Sequence, residues 1–415
     1  MQEKIKVLWL CNVAFSNKNT NSTGTWLHAM CHALVNTGKI ELYNITQSGV
    51  EETTRQNSGA INQWLVPFKF SKKNGLPHLN IIQDIQKIVD EIQPDIIQIW
   101  GTENYWGLLT ARGHIKGNII LEIQGLKFAI KDYFFYGLSL LDIIKCFGIK
   151  EFLKPSGSLF GQRQAFKQWG IFEKEMLLHH KIISTQSEWV RAHVRNINPN
   201  AQLLKTCISL RAEFIKAKKW DIANSVPYQI FTTFSSVASY KGLHILLDAI
   251  ALLKKQHPLV TLYIAGHIST GLRQDGYTKW LLKKIKQLGI NENIFWLGPL
   301  DAKNLIQQMH KANVVVVPSF IESYSLALDE SLTIGVPTVA SFSGAMPELA
   351  THEKTALYFT PGDVIMCANA IERFFVDKSY ATHISCNAFE DKITKRNTDL
   401  GLSQLAIYRL ILETN

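Results

Sequence analysis

The sequence predicts an α/β protein of two doubly wound, Rossmann-like domains, and three observations predict it. Its 415 residues exceed the roughly 100 to 200 of one ordinary domain, so two or three full-sized cores are expected. Short β-rich apolar runs alternate with longer stretches of helical periodicity, the order that parallel βαβ units require. Hydrophobic residues at 46% and charged residues at 19% belong to a chain with a core to bury, not to a disordered one.

In the first half, strands are expected at "KVLWLC", "IIQIW", "IILEI" and "KIIST", with helices from Thr25 to Val35 and from Ser187 onward. They make up a domain over residues 1–210. The mixed-charge stretch "ISLRAEFIKAKKWDIANSVP" after Cys207 has no clear periodicity and reads as an interdomain linker. A second α/β domain, 227–395, runs through "QIFTTFS", helix Leu243 to Lys255, "TLYIAG", helix Lys279 to Leu288, "IFWLG", helix Ala302 to His310, "VVVVPS", a further helix and "TVAS". A helical segment from Leu402 to Leu412, within 396–415, is free to pack back on the first domain. Ligands of open α/β sheets sit outside the C-terminal ends of the strands, so the loops after strands are where chemistry is sought.

Several classes are set aside. The six cysteines are scattered with no Cys-x-x-Cys pair, which argues against a disulfide framework or a structural zinc site and fits a reducing cytoplasm. His28, Cys31 and His32 cluster on one expected helix without a second ligand pair and read as helix packing. The segment "MQEKIKVLWLCNVAF" has no small-residue cleavage site and reads as a strand, not a signal peptide. The longest apolar stretch, from Tyr133, is broken by Asp142 and Lys145 and is not expected to span a bilayer. A net charge of +10 suggests an anionic partner: nucleic acid, an acidic membrane face or a phosphorylated substrate.

The chemistry concentrates in "PSFIESYSLALDESLTIGVPTVAS", residues 318–341. Pro318 stops a strand, and Gly335 with Pro337 ends the next helix. Glu322 falls in the loop and Glu330 inside the helix, ~12 Å along if the intervening residues are helical. Between them the helix N-terminus at Ser323 to Leu326 offers free N–H groups to an anion. Spacing alone also fits a first-turn acid at Glu322 and a solvated-face residue at Glu330. "FSSVASYKGLHILLDAI" places Lys241 and Gly242 before an amphipathic helix, where a lysine can reach a diphosphate and a glycine permits close approach, or where both merely start a helix.

Eight pieces in order over about a third of the chain carry a resemblance: "YKGLHILLDAI", "LYIAG" ending at Gly266, "LGINENIFWLGPL", "VVVVPSFIES", the Glu-x7-Glu pair, "TIGVPTVAS", "GAMPEL" and "TALYFTPGD". Tyr228 to Asp363 thereby resembles the nucleotide-sugar-binding half of glycosyltransferase family 4, retaining enzymes of the GT-B fold, whose two Rossmann-like domains face a central cleft. The resemblance implies that Lys241 neutralises the donor diphosphate, Glu330 binds ribose hydroxyls, Glu322 contacts the transferred sugar, and backbone around Leu300 meets the base. Gly266, Ser325 and Leu326 complete the implied donor site, and Lys241 and Glu322 are its catalytic pair. Two departures stand out: Ser236 replaces a common arginine, and Ser323 and Ser325 replace the glycines of the usual Glu-Gly-Phe-Gly run.

In the first domain, Gly24 lies in "NTNSTGTWLHAM" where the family has a glycine loop approaching the donor phosphates, though a capping turn has the same composition. Trp100, Glu103 and Gln124 follow strands and are expected to project toward an acceptor. Family members often have a histidine near Gln124, and a glutamine does no acid or base work. Between Leu126 and Lys205, twelve Lys and Arg face six Asp and Glu, with aromatics at Tyr133 to Tyr136, Phe160, Phe166, Trp169 and Phe172. Such segments lie on anionic membrane faces, or are ordinary core and surface.

The expected activity is retaining transfer of a sugar from a nucleoside diphosphate sugar to a hydroxyl acceptor, a glycan or lipid-linked intermediate in surface polysaccharide synthesis (capsule, O-antigen or exopolysaccharide). No Asp-x-Asp stands at a strand end, so metal-independent catalysis without a cofactor is expected. So is a cytoplasmic location with peripheral contact at the inner membrane face. The alternative is a non-catalytic nucleotide-sugar or glycan-binding protein on the same fold; an epimerase or a phosphorylase is weaker, and nucleic acid is not expected as a partner.

Overall fold

The computed structural model describes residues 4–15, 25–68, 73–208, 210–269, 271, 274–395 and 399–414. It divides into two compact units, the first comprising Met1–Ala129, Gln168–Ser209 and Thr398–Asn415, the second Ile130–Lys167 and Leu210–Asn397. Each is a doubly wound α/β domain, so the expected fold class is the observed one.

The first unit is built on β1 (Ile5–Cys11), β2 (Ile40–Ser48), β3 (Thr54–Arg55), β4 (Asn62–Pro67), β5 (Ile96–Trp100), β6 (Ile119–Glu122), β7 (Ile182–Thr185) and β8 (Gln202–Lys205). Their order is β3-β4-β2-β1-β5-β6-β7-β8, parallel except for the short edge strand β3. Winding reverses between β1 and β5. β5 is buried along its length and β1 from Val7 onward, as strands covered on two faces are. The neighbouring strands β2 and β4 escape an apolar-run reading because they bury amides. Asn44 Nδ2 donates to Gln63 Oε1 at 2.9 Å, and the Phe15 N–H donates to the same oxygen at 2.7 Å. The helix Leu79–Ile92 turns Ile81, Ile82, Ile85, Ile88 and Ile92 to the core at helical spacing.

The helix Leu400–Thr414 counts with this unit. Gly401 lets it approach the helix Thr25–Asn36, since a Cβ there would come 2.3 Å from the Ala33 carbonyl oxygen. Its Tyr408 is buried, accepts from Trp9 Nε1 at 3.1 Å and donates to Gln98 in the middle of β5.

The second unit is built on β9 (Gln229–Ser236), β10 (Thr261–His267), β11 (Ile294–Gly298), β12 (Val314–Val317), β13 (Thr338–Ser341) and β14 (Leu357–Phe359). The order β11-β10-β9-β12-β13-β14 is all parallel and reverses between β9 and β12, the position at which open α/β sheets hold ligands.

Two boundary expectations are corrected. Residues 130–167, assigned from sequence to the first domain, belong to the second unit: Phe134, Cys146 and Leu159 join its core beside Ile230 and Leu243. Ser239 Oγ donates to the Phe134 carbonyl at 2.7 Å. The stretch read as a linker is packed too. Phe214 and Trp220 are buried, and Trp220 is tied through its Nε1–H to the Ala312 carbonyl at 2.9 Å and through its N–H to that of Ile334 at 2.8 Å. Among the described residues no helix is long and apolar enough to cross a membrane.

Candidate functional site

The loop leaving β12 and the loop leaving β9 meet. Gly242 closes the β9 loop at φ +71°, and a Cβ there would lie 2.0 Å from the Pro318 carbonyl oxygen. The position therefore demands glycine on both conformational and steric grounds. Phe320 N–H donates to the Tyr240 carbonyl at 2.8 Å. From this junction Lys241 reaches both oxygens of Glu322, at 2.8 and 2.9 Å. Ser319 Oγ also donates to Glu322 Oε1 at 2.6 Å.

The Glu322 backbone is fixed as well. Its carbonyl accepts from Ala345 N–H at 2.9 Å, and Gly344 permits the approach, since a Cβ there would stand 2.2 Å from that oxygen. The Ser319 carbonyl accepts from Ser341 Oγ and from Ser343 Oγ, the latter at 2.8 Å. The motifs "YKG", "PSFIES" and "GAMPEL" thus converge on Glu322, the first two on its carboxylate and the last on its backbone. Burial alone would push the Lys241 ammonium toward neutrality, but the Glu322 carboxylate and then Tyr240 outweigh it, and its pKa lies above the ordinary lysine value.

Glu330 sits in the helix Leu326–Ile334, capped by Ser325, whose Oγ accepts from Leu328 N–H at 3.3 Å, and ended by Gly335 at φ +78°. The solvated-face reading is corrected: Glu330 is buried. Arg211 holds it, through Nη2 at 2.6 Å and Nε at 3.2 Å to Oε1. Burial is the larger influence and Arg211 the opposing one, leaving the carboxyl pushed up to about 7. The next residue, Asp329, is met by Lys392 at 2.5 Å and by Tyr324 OH at 2.6 Å. Ser325 has φ −108°, so its serine needs none of the backbone freedom of the glycine it replaces.

Of the remaining expected donor residues, Ser236 is exposed at the end of β9 and Gly266 stands in β10, where a Cβ would meet the Phe234 carbonyl at 1.9 Å. Leu300 packs partly on the core of this unit and Leu326 opens the helix. Gly24 lies outside the described residues. Arg211 was not singled out from sequence, because it stands in the stretch read as a linker and belongs to no motif.

In the first unit the expected acceptor residues separate. Trp100 is corrected: it is buried edge-on against Trp9 and Trp26, with centroids 5.0 and 5.3 Å away, and has no surface to offer a ligand. Glu103 and Gln124 do come together above Gly101, where a Cβ would lie 2.1 Å from Glu103 Oε2 and 3.3 Å from Gln124 Cδ. That Glu103 oxygen has no hydrogen-bond partner among the described residues, and burial raises its pKa against the pull of Lys127. Sequence reading missed Glu173, whose buried carboxylate accepts from Thr102 Oγ1 at 3.1 Å and Phe128 N–H at 2.8 Å. A cavity of about 550 Å³ elsewhere in this unit is lined by Arg55, Trp64, Asp84 and Lys87 among others and by none of the expected site residues. Among the described residues no cluster of His, Cys, Asp and Glu is fit to hold a metal ion.

Residues 215–391 match the family model of glycosyl transferases group 1. Glycogen synthase of Mycobacterium tuberculosis is 30% identical over 154 residues, 37% of this chain and 35% of that protein. D-inositol 3-phosphate glycosyltransferase of Jonesia denitrificans is 32% identical over 211 residues, 49% of this chain and 48% of that protein. The chain thus covers about a third to a half of the length of these curated relatives. Among solved structures, sucrose-phosphate synthase of Thermosynechococcus elongatus superposes with a TM-score of 0.74 at 15% identity, covering 99% of this chain and 100% of that one. HepE of Anabaena, in complex with UDP-glucose, gives 0.66 at 17%, covering 99% of each. At such identities the likeness is one of fold.

Proposed function

We propose that this chain, whose residues 215–391 match glycosyl transferases group 1, is a retaining glycosyltransferase of family 4 that moves a sugar from a nucleoside diphosphate sugar to a hydroxyl acceptor. The observation that carries the reading is the meeting of Lys241 and Glu322 beyond the ends of β9 and β12. A sugar and a diphosphate are joined at one bond, so a cation for the phosphate and a carboxylate for the sugar belong within one contact of each other. Glu330, further along the helix, is the acceptor for ribose hydroxyls, and Arg211 opposes the burial that raises its pKa. That HepE was solved with UDP-glucose supports a nucleotide sugar as donor.

As the donor bond breaks, negative charge grows on the diphosphate and positive charge on the sugar. The Lys241 ammonium turns from Glu322 to the diphosphate, aided by the N–H groups at the start of the helix Leu326–Ile334. Glu322, held by Ser319, then faces the electron-poor sugar carbon. These groups supply the positive charge the leaving group needs, so turnover is metal-independent, and excess EDTA leaves it unchanged; abolished turnover would overturn that point.

The acceptor is a glycan or lipid-linked intermediate of surface polysaccharide synthesis, reached from the cytoplasm by peripheral contact with the inner membrane face. A screen of nucleotide sugars by thermal shift identifies the donor, because a ligand of the native form raises the melting temperature; a transfer and hydrolysis assay with that donor tests the reaction. Ser236, in place of a family arginine, favours the second reading, a non-catalytic nucleotide-sugar or glycan-binding protein. Binding without transfer or hydrolysis would establish it.

A further inference from the structure

The segment 130–167 carries a surface the donor site does not use. Two short helices, Leu140–Lys145 and Ile149–Leu153, anchor their inner sides through Ile143, Cys146 and Glu151, all buried. Their outer sides expose Leu140, Leu141, Ile144, Ile149, Phe152 and Leu153, each between 65 and 83% accessible. Single exposed apolar residues are normal on a soluble protein; six within fourteen positions mark a contact surface.

Charge identifies what it contacts. The three carboxylates of the segment are all engaged within the protein. Asp132 is paired with Lys131 at 2.7 Å and Arg163 at 3.7 Å, and Asp142 accepts from Ser139 Oγ at 2.6 Å and Trp280 Nε1 at 3.3 Å. Glu151, 1% exposed, accepts from Gly148 N–H at 3.0 Å. Lys145 and Lys154 instead stand exposed beside the apolar residues with no ion pair among the described residues. Lysine is depleted at protein interfaces, where tyrosine, tryptophan and arginine prevail. Aliphatic side chains rimmed by lysines match an anionic bilayer, which takes the apolar groups ~5 to 10 Å deep and the ammoniums at its headgroups. The aromatics singled out from sequence are only partly the right ones: Phe166, Trp169 and Phe172 pack partly against cores, and Phe160 alone of that later group is exposed.

We propose that the outer side of these two helices docks the protein on an anionic lipid bilayer. The surface rests on its own observations and makes specific the membrane contact in the proposed function. Cosedimentation of the full chain with vesicles tests it, using phosphatidylcholine alone and phosphatidylcholine with phosphatidylglycerol. Binding to the anionic vesicles is expected at low salt, weaker by at least about tenfold on the neutral ones, since each lysine near the surface contributes roughly fivefold. The pair Ile149→Glu and Phe152→Glu abolishes it, and the pair Lys145→Glu and Lys154→Glu weakens it at least tenfold with an unchanged melting temperature. Three results would overturn the proposal: no wild-type binding to anionic vesicles, equal binding by the folded variants, or a wild-type dimer by light scattering that Phe152→Glu makes monomeric. Nucleotide affinity on the same samples judges the function separately; its absence with vesicle binding intact would remove the enzyme reading and leave this surface standing.

Discussion

Buried carboxylates in the two units are handled in opposite ways. In the second unit each has its own cation in contact: Glu322 has Lys241, Glu330 has Arg211 and Asp329 has Lys392. In the first unit Glu103 and Glu173, near the end of β5, share the influence of Lys127, while Glu122 ends β6 without one. Burial pushes Glu122 and Glu173 up to about 7. For Glu122 nearby Thr206, Ser184 and Gln186 pull the other way, though neither carboxylate oxygen has a close hydrogen bond among the described residues. Ionising a buried carboxyl costs several kcal/mol unless a cation accompanies it. The second unit therefore sets a cation against each of these carboxylates, though burial still pushes Glu330 up to about 7, while the first unit surrounds its carboxyls chiefly with hydroxyls, amides and backbone N–H groups.

The sharpest way to break this contrast is at the most charged point. Glu322→Ala is expected to lower transfer by ~10³-fold while nucleotide binding stays measurable, and Lys241→Ala to cost ~10² to 10³-fold; an unimpaired Glu322→Ala variant would sink the assignment. Next comes the backbone that delivers the lysine. Gly242→Ala sets a methyl group against the Pro318 carbonyl at positive φ, for a loss of ~2 to 4 kcal/mol by denaturant unfolding. At Gly59, also at positive φ but with nothing within 4 Å, the same change should cost only ~1 kcal/mol.

The first unit is probed through protons. The pKa of Glu122 is raised on folding, so its contribution to stability is fully present below the unfolded value of 4.5 and lost as pH rises through about 7. Glu122→Gln removes that dependence and should gain up to ~3 kcal/mol over the wild type at pH 8 relative to pH 4. Parallel stability curves for the two proteins would refute the neutral-carboxyl reading. The smallest effect is expected at Glu330. Glu330→Gln should weaken nucleoside binding ~10-fold. In the wild type that affinity should fall as pH drops through about 7 and the carboxylate takes up its proton; in the variant it should be flat. A nucleoside is the right ligand because it has no phosphate to titrate.

Legibility follows the same divide. In the second unit the strands "IFWLG" and "TVAS", the positions of Lys241 and Glu322 and the caps at Ser325 and Gly335 can be read directly, since loop chemistry and strand runs there are local patterns. Arg211 is invisible because its partner is 119 residues away and no local pattern encodes such a contact. Strands β2 and β4 are hidden by the amides they bury, Asn44 and Gln63. Trp100 misleads because an aromatic at a strand end fits a ligand platform and a core equally well, and only its neighbours Trp9 and Trp26 decide. The 130–167 segment follows a first-domain helix in sequence but finds its partners, such as His244 hydrogen-bonded to the Tyr136 carbonyl at 3.1 Å, more than a hundred residues later.

The helix Leu400–Thr414 has a consequence for biogenesis. Trp9 and Gln98 are translated early, yet their shared partner Tyr408 is translated after every strand of both sheets. During synthesis at about 5 to 20 residues per second, the unit begun first waits through the making of the other for its closing piece. Packing of the first unit around Trp9 and Gln98 is therefore finished only by a helix that follows all of the second unit in sequence.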